Sequence, residues 1–331
     1  MTALYPFKFR PIGKETVWGG HRLKNLWNKP FPADKNIGES WELSAVQGNV
    51  SIVSNGFLKG NNLEELIEIY MGELVGEKIY EQFGVEFPLL IKLIDTKENL
   101  SVQVHPDDAT AMERHEAYGK TEMWYVLNAA PGAGLYIGFN RNISANELYE
   151  RARKGTLEEV LHFEKAFPGD VFFIPAGRIH AIGQSVMLAE IQQTSDITYR
   201  VYDWGRENNP ATAREMHLEM AIDVLDYQYR EQGKIVYKQE KNKTAPLVNC
   251  PYFTANLLTL DKACHRDFSE KDSFVVYLCL QGEASLKYSQ GIETIGKGET
   301  VLVPAAIDEF NLIPAVDTRL LEVYIDAPYC L

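Results

Sequence analysis

The sequence predicts a mainly β protein built as two related β-barrels, with helices inserted in and after the first. Three stretches carry that reading. Residues 101–105, Ser-Val-Gln-Val-His, alternate polar and apolar side chains, the period of a strand with one buried face. Residues 169–180 have the form Gly-x5-Pro-x-Gly-x-x-His: a strand, a Pro/Gly turn, and a histidine where the next strand begins. Residues 298–309 repeat that pattern position for position, with Gly177 replaced by Ala306 and His180 by Glu309. A Gly/Pro-punctuated strand that recurs after more than a hundred residues reads as a duplicated unit, here one with a candidate site and one without.

In chain order, residues 1–60 read as short extended pieces separated by turns. Residues 37–43 form a strand carrying Glu39 and Glu42 on opposite faces, both expected as surface charge, while Trp18 and Trp41 are expected in the core. From Asn62 the spacing turns helical, with Asn62 as N-cap and Glu65 three residues on. Residues 77–83 make a second short helix, ended by Gly84. Residues 87–94 are an apolar run broken by Lys92, so they read as a strand buried on both faces, and a lysine there points to a cleft.

A charged helical segment at 107–118 precedes a strand from 119 to 127, on which Lys120, Glu122 and Trp124 share a face. Hydroxyl–acid pairs at Ser144/Glu147, Thr156/Glu159 and Thr212/Glu215 predict helices near 145–153, 157–163 and 213–226. Residues 187–200 are a further strand region, in which Glu190, Asp196 and Arg200 share parity if the strand is unbroken.

A chain of 331 residues is long for one core. Two domains are expected, 1–231 and 232–331, joined through the lysine-rich segment 232–244. The formal net charge of −13 argues against nucleic-acid binding, yet leaves room for an anionic small molecule, because local cations set the potential inside a cleft. The four cysteines contain no Cys-x-x-Cys pair and read as reduced, mostly buried thiols. No leader-like apolar run follows Met1 and no stretch is long enough for a membrane span, so a cytoplasmic protein is expected.

Four motifs together resemble the type I mannose-6-phosphate isomerases of the cupin superfamily, in their short bacterial branch. They are Ser-Val-Gln-Val-His-Pro-Asp-Asp (101–108), Gly-Lys-Thr-Glu (119–122), Ile-Pro-Ala-Gly-Arg-Ile-His-Ala-Ile-Gly (174–183) and Ile-Gln-Gln-Thr-Ser-Asp-Ile-Thr-Tyr-Arg-Val-Tyr-Asp-Trp (191–204). The resemblance implies jelly-roll barrels and one zinc ion held by Gln103, His105, Glu122 and His180. It leaves open whether Gln103 reaches the metal directly or through water. It also implies a catalytic Arg200, with Asp196 four residues before it, and cleft lysines at Lys92 and Lys120. Thr121 departs from the proline of longer members.

The implied reaction interconverts mannose 6-phosphate and fructose 6-phosphate, so the expected partner is a small sugar phosphate. Such a reaction needs a polarised carbonyl, a base that moves a proton between C2 and C1, and an anchor for the phosphate. Zinc would act as Lewis acid and Arg200 would stabilise the enediolate. For the base, Asp196, Glu190, a lysine and a metal-bound water remain open. An iron oxygenase is disfavoured because the first motif supplies one imidazole where two usually hold redox iron. A sugar sensor is disfavoured because a neutral ligand has little use for Lys92, Lys120 and Arg200.

Overall fold

A computed structural model describes residues 4–231 and 233–326. It is mainly β, and each of the two expected repeats is a pair of facing sheets, the jelly-roll form of a barrel. In the first pair a seven-stranded sheet contains Ile37–Leu43, Leu89–Asp95, Val186–Gln193, Glu122–Ala129 and Val171–Ile174 as neighbours in that order. The facing five-stranded sheet runs Tyr199–Tyr202, Val102–Val104, His180–Ile182, Gly134–Phe139 and Leu161–Lys165. Trp124, Phe172 and Leu188 from one sheet interdigitate with Leu135, Ile137 and Ile182 from the other. Alternation along each strand produces this core, since every second side chain faces the partner sheet.

The second pair is a six-stranded and a four-stranded sheet. Its six-stranded sheet packs back-to-back on the seven-stranded one. Ile91, Met123 and Ile191 share a core with Leu257, Val276 and Leu321, and the helices Leu63–Tyr70 and Glu77–Phe83 add to it. Strands such as Leu89–Asp95 are therefore buried on both faces, which explains an apolar sequence interrupted only at Lys92 and the closing Asp95. The N-terminal strand Phe7–Lys8 pairs with Val301 and Leu302, so the start of the chain joins the second repeat's sheet.

The repeat is structural as well as sequential. Gly169 and Gly298 both have φ near +90° (93° and 85°). The strands Val171–Ile174 and Thr300–Val303 follow them, and His180 and Glu309 each open the next strand.

Several local expectations need correction. The first helix stops at Tyr70 because Met71 takes φ 47°, and Gly72–Val75 is a separate turn. The capping box at Asn62 and the cap at Ser144 form as expected. At Thr156 no side-chain cap forms, and only a short 3-10 turn, Leu157–Val160, follows. The helix expected over 213–226 is confined to Leu218–Val224. Thr212 turns its hydroxyl back to the carbonyls of Arg206 and Asn209 instead of capping, and residues 214–217 run as a strap engaged by Arg200. The strand region 187–200 is broken between Gln193 and Tyr199. Of the cysteines, Cys279 is buried while Cys250 and Cys264 are half-buried, all three as free thiols, and Cys330 lies outside the described residues. Among the described residues no helix is long and apolar enough to cross a membrane.

Candidate metal centre and the cleft beside it

In the five-stranded sheet His180 stands opposite Gln103, and Gln103 opposite Arg200, so three strands carry one straight row of polar side chains. His105 follows directly after Val102–Val104. Its carbonyl accepts from the backbone N–H of Gly177 at 2.9 Å, while Thr121 Oγ1 accepts from Ala176 N–H at 3.2 Å. The turn before His180 is thus pinned to both segments that carry the other ligands. Gly177 takes φ 83°, and a Cβ there would stand 2.9 Å from the Val224 carbonyl, so glycine is required. Thr121 does what proline cannot: its own N–H also donates to Gln193 Oε1 at 2.8 Å.

Glu122 enters from the facing sheet. Its Oε1 lies 3.3 Å from His180 Nε2 and its Oε2 lies 3.6 Å from His105 Nε2. One donor atom from each of the three residues falls within 4.8 Å of the others, and all three side chains are buried. His105 Nε2 and both oxygens of Glu122 have no hydrogen-bond partner among the described residues. Buried polar atoms left so are rare and costly unless something else satisfies them. A tetrahedral zinc with ligands at about 2.0–2.1 Å would set its donors roughly 3.3 Å apart, the spacing seen here. The donor set therefore fits a divalent metal.

The histidines are prepared for this. Each Nδ1–H donates to a backbone carbonyl at 2.8 Å, His105 to Ile197 and His180 to Arg178, which makes Nε2 the acceptor nitrogen of each ring. Burial pushes both imidazoles below their ordinary pKa, His180 to about 4, so both are neutral ligands. Burial, reinforced by the charge of Glu190, raises the Glu122 carboxyl to about 8, which marks a carboxylate in need of a cation. Gln103 has its amide nitrogen 3.2 Å from His180 Nε2, and turning the amide over would present its oxygen at that place.

A cleft opens beside this cluster. Gln103, Lys92, Lys120, Glu190, Asp196 and Arg200 all line it. Lys92 donates to Glu190 Oε1 at 3.0 Å and lies 3.7 Å from Glu39, while Trp124 Nε1–H donates to Glu190 Oε2 at 2.8 Å. Burial alone would lower the Lys92 pKa, but Glu190 and then Glu39 outweigh it and the ammonium is held charged. Lys120 is pulled down by burial and then by Lys92. Its Nζ is 3.7 Å from Glu122, beyond hydrogen-bond reach. Asp196 is exposed at the rim. Arg200 Nε donates to Ser101 Oγ at 3.2 Å, and no carboxylate among the described residues lies within ion-pair distance of its guanidinium. An ordinary structural ion pair does not account for it.

The N-terminal strands supply a wall that the sequence reading missed. Glu39 is not a surface charge, since it lines the cleft and accepts from Trp41 Nε1–H at 2.7 Å. Trp41 and Trp18 are buried as expected but also face the cleft, and the Lys92 ammonium lies 5.3 Å from the centre of the Trp41 ring. Glu42, on the opposite face, is buried against Lys29 at 2.5 Å and is likewise not surface. The shared parity of Glu39 and Trp41 was the available signal.

Comparison with known proteins gives the same picture. Residues 7–127 match the model of the type I phosphomannose isomerase catalytic domain, and residues 243–318 that of the mannose-6-phosphate isomerase cupin domain. The chain is 33% identical to mannose-6-phosphate isomerase ManA of Bacillus subtilis, over 93% of this chain and 95% of that protein. It is 35% identical to the mannose-6-phosphate isomerase of Streptococcus mutans, over 89% and 91% of the two chains. A crystal structure of the mannose 6-phosphate isomerase from Bacillus subtilis superposes with a TM-score of 0.86 at 31% identity, covering 97% of this chain and 99% of that one. This chain therefore belongs to the type I phosphomannose isomerase family.

Proposed function

We propose that the chain is a zinc-dependent aldose–ketose isomerase that interconverts mannose 6-phosphate and fructose 6-phosphate through an enediol(ate). The observation that carries this reading is the convergence of buried donors from His105, Glu122 and His180, of which His105 Nε2 and both Glu122 oxygens have no hydrogen-bond partner among the described residues, beside a cleft holding Lys92, Lys120 and Arg200. His105, Glu122 and His180 would hold the metal, with Gln103 as the fourth position. Bound there, zinc would supply a Lewis acid toward the sugar's oxygens.

The chain's own groups do the rest. Arg200, charged and free of any acid, faces the place where enediolate charge develops, and its fixed dipole needs no reorganisation at that moment. Lys92 is locked between Glu190 and Glu39, so it orients a substrate hydroxyl and does not exchange protons. Glu190 has both oxygens engaged and its pKa held low, chiefly by Lys92 and Lys120 against the opposing effect of burial. It is a poor base. Among the described residues Lys120 and Asp196 carry no such hydrogen bonds, and they are left to move the proton from C2 to C1. Residues 1–231 carry this chemistry, and the described residues of the second repeat support it by packing behind the seven-stranded sheet.

The test is a coupled assay for fructose 6-phosphate with zinc-loaded protein and mannose 6-phosphate, alongside its metal content. Turnover that tracks zinc occupancy is expected. Stoichiometric zinc without turnover would overturn the reading. Lys120→Met and Asp196→Asn then separate the two candidate bases, since the true base loses kcat while the other variant changes KM.

A further inference from the structure

We propose that Gln193 and Asp108 are positioning residues: together they hold the backbone from Gly119 to Glu122 and so fix where Lys120 and Glu122 stand. The chemical roles of those two side chains come from the isomerase reading above, on which this rests.

The ligands of the candidate metal centre are supported unequally. His105 and His180 are each oriented by a carbonyl at Nδ1. Neither oxygen of Glu122 has a hydrogen-bond partner among the described residues, and Lys120 Nζ stands 3.7 Å from it. A ligating carboxylate is ordinarily held by hydrogen bonds of its own. With none here, Glu122 and Lys120 inherit their positions from the main chain. Glu122 is the first residue of its strand, paired with Gln192 on one side and Ile174 on the other, so residues 119–121 lie beyond the regular ladder.

Gln193 extends that ladder by one rung. Its backbone N–H donates to the Thr121 carbonyl at 3.2 Å, and its side-chain Oε1 accepts from the Thr121 N–H at 2.8 Å. One residue thus satisfies both backbone groups of Thr121, with a side-chain amide standing where a strand carbonyl would otherwise be. The Gln193 side chain is itself fixed, since it is 2% exposed and its Nε2–H donates to Asp108 Oδ1 at 2.8 Å.

The same Asp108 oxygen accepts from the Gly119 N–H at 2.8 Å. A single atom therefore joins the end of the strand Val186–Gln193, the approach to the strand Glu122–Ala129 and the start of the helix Asp108–His115. Asp107 makes this possible by capping that helix in its place, accepting from the Thr110 N–H at 2.9 Å. The two backbones touch. A Cβ on Gly119 would stand 2.6 Å from the Asp107 carbonyl carbon and from the Asp108 nitrogen, so the close approach requires glycine. Lys120 N–H donates in turn to the Pro106 carbonyl at 3.1 Å. Because Pro106 follows His105 directly, these bonds also set the separation of His105 from Glu122, on which a shared metal ion depends.

The test measures zinc affinity by competition with a chromogenic chelator, and steady-state kinetics at saturating zinc, in wild type, Gln193→Met, Asp108→Ala and Asp108→Asn. In Q193M and D108A the zinc Kd should rise about 10- to 100-fold, the usual cost of losing the outer support of a ligand. At saturating zinc their kcat for mannose 6-phosphate should fall by about the same factor while KM stays within about threefold, because Lys92 and Arg200 do not depend on these bonds. D108N keeps an oxygen for Gly119 and Gln193, so its zinc Kd and kcat should stay within about threefold of wild type. A merely structural role would lower Tm and leave zinc affinity and kcat unchanged. That result, or a loss in D108N equal to that in D108A, would overturn the proposal. Asp108 is only half-buried, so D108A keeps the test open should Q193M fold poorly. Zinc binding weakened by the variants in a protein that never converts mannose 6-phosphate refutes the isomerase reading alone, whereas turnover with zinc affinity and kcat unmoved by them refutes the positioning alone.

Discussion

Glu322 occupies in the six-stranded sheet the rung that Glu190 occupies in the seven-stranded one. Glu190 stands between Lys92 and Trp124, and Glu322 stands between Asn256 and Tyr277. In each case the aromatic neighbour donates to the carboxylate: Trp124 Nε1–H at 2.8 Å, Tyr277 Oη–H at 2.7 Å. Arg266 supplies to Glu322 the charge that Lys92 supplies to Glu190, at 2.6 Å. The second unit has the buried carboxylate and lacks the candidate metal ligands. Val275, two residues before Tyr277, takes the place of Glu122, and Glu309 takes that of His180.

If Glu322 is a structural remnant, disturbing it should cost stability and spare catalysis. Tyr277→Phe removes one donor from a buried carboxylate and should destabilise by about 1–3 kcal/mol. Urea unfolding measures this, and kcat/KM for mannose 6-phosphate should stay within about twofold of wild type.

Metal removal should act on both activity and stability. Chelation should abolish turnover and readdition of zinc restore it. Metal at a hundred times its Kd stabilises the folded state by about 2.7 kcal/mol, so the loaded protein should melt at a higher temperature. In Glu122→Gln, which lacks the ligand charge, that difference in Tm should close. A variant that kept the full difference would place the metal elsewhere.

How much of this was legible in the sequence follows from how each feature is written there. Gln103 and His105 share a strand face, and His180 follows a Gly/Pro turn, so local spacing makes them candidates and no more. Glu122 could be placed on a face with Lys120 and Trp124, but only the four ordered motifs joined it to the histidines. Glu39 and Trp41 belong to the cleft because Ile37–Leu43 pairs with the strand of Lys92, placing Trp41 opposite Lys92. Cross-strand neighbours leave no periodic mark in sequence. The helix over 213–226 failed for a related reason. A capping pattern is a local preference of a few tenths to about 2 kcal/mol, and the bonds from Arg200 to the Glu215 carbonyl and from Arg214 to the Asp203 carboxylate outweigh it.

Glu86 gives a pH dependence of its own. Burial, and then the charge of Glu64, raise its carboxyl from 4.5 to about 7; His115, Glu116 and Asp196 line the same hollow. The folded protein therefore holds this proton between about pH 4.5 and 7, where the unfolded chain has released it. Stability contributed by this group falls as pH rises through that window and levels off above it. Thermal melts from pH 4 to 8 should show this decline in wild type. Glu86→Gln should remove that component, and an unchanged slope in the variant would contradict the assignment.

Lys92 and Glu190 allow structural and chemical roles to be separated. Lys92→Met leaves Glu190 buried without its cation and should destabilise by about 3–5 kcal/mol, because an uncompensated buried charge is costly. Pairing it with Glu190→Gln removes that charge, and the double variant should recover most of the lost stability. It should not recover activity if Lys92 orients the substrate as proposed, because the cleft still lacks its ammonium. Recovery of kcat/KM to near wild type in K92M/E190Q would mean that Lys92 serves only to neutralise Glu190, and would remove it from the catalytic set.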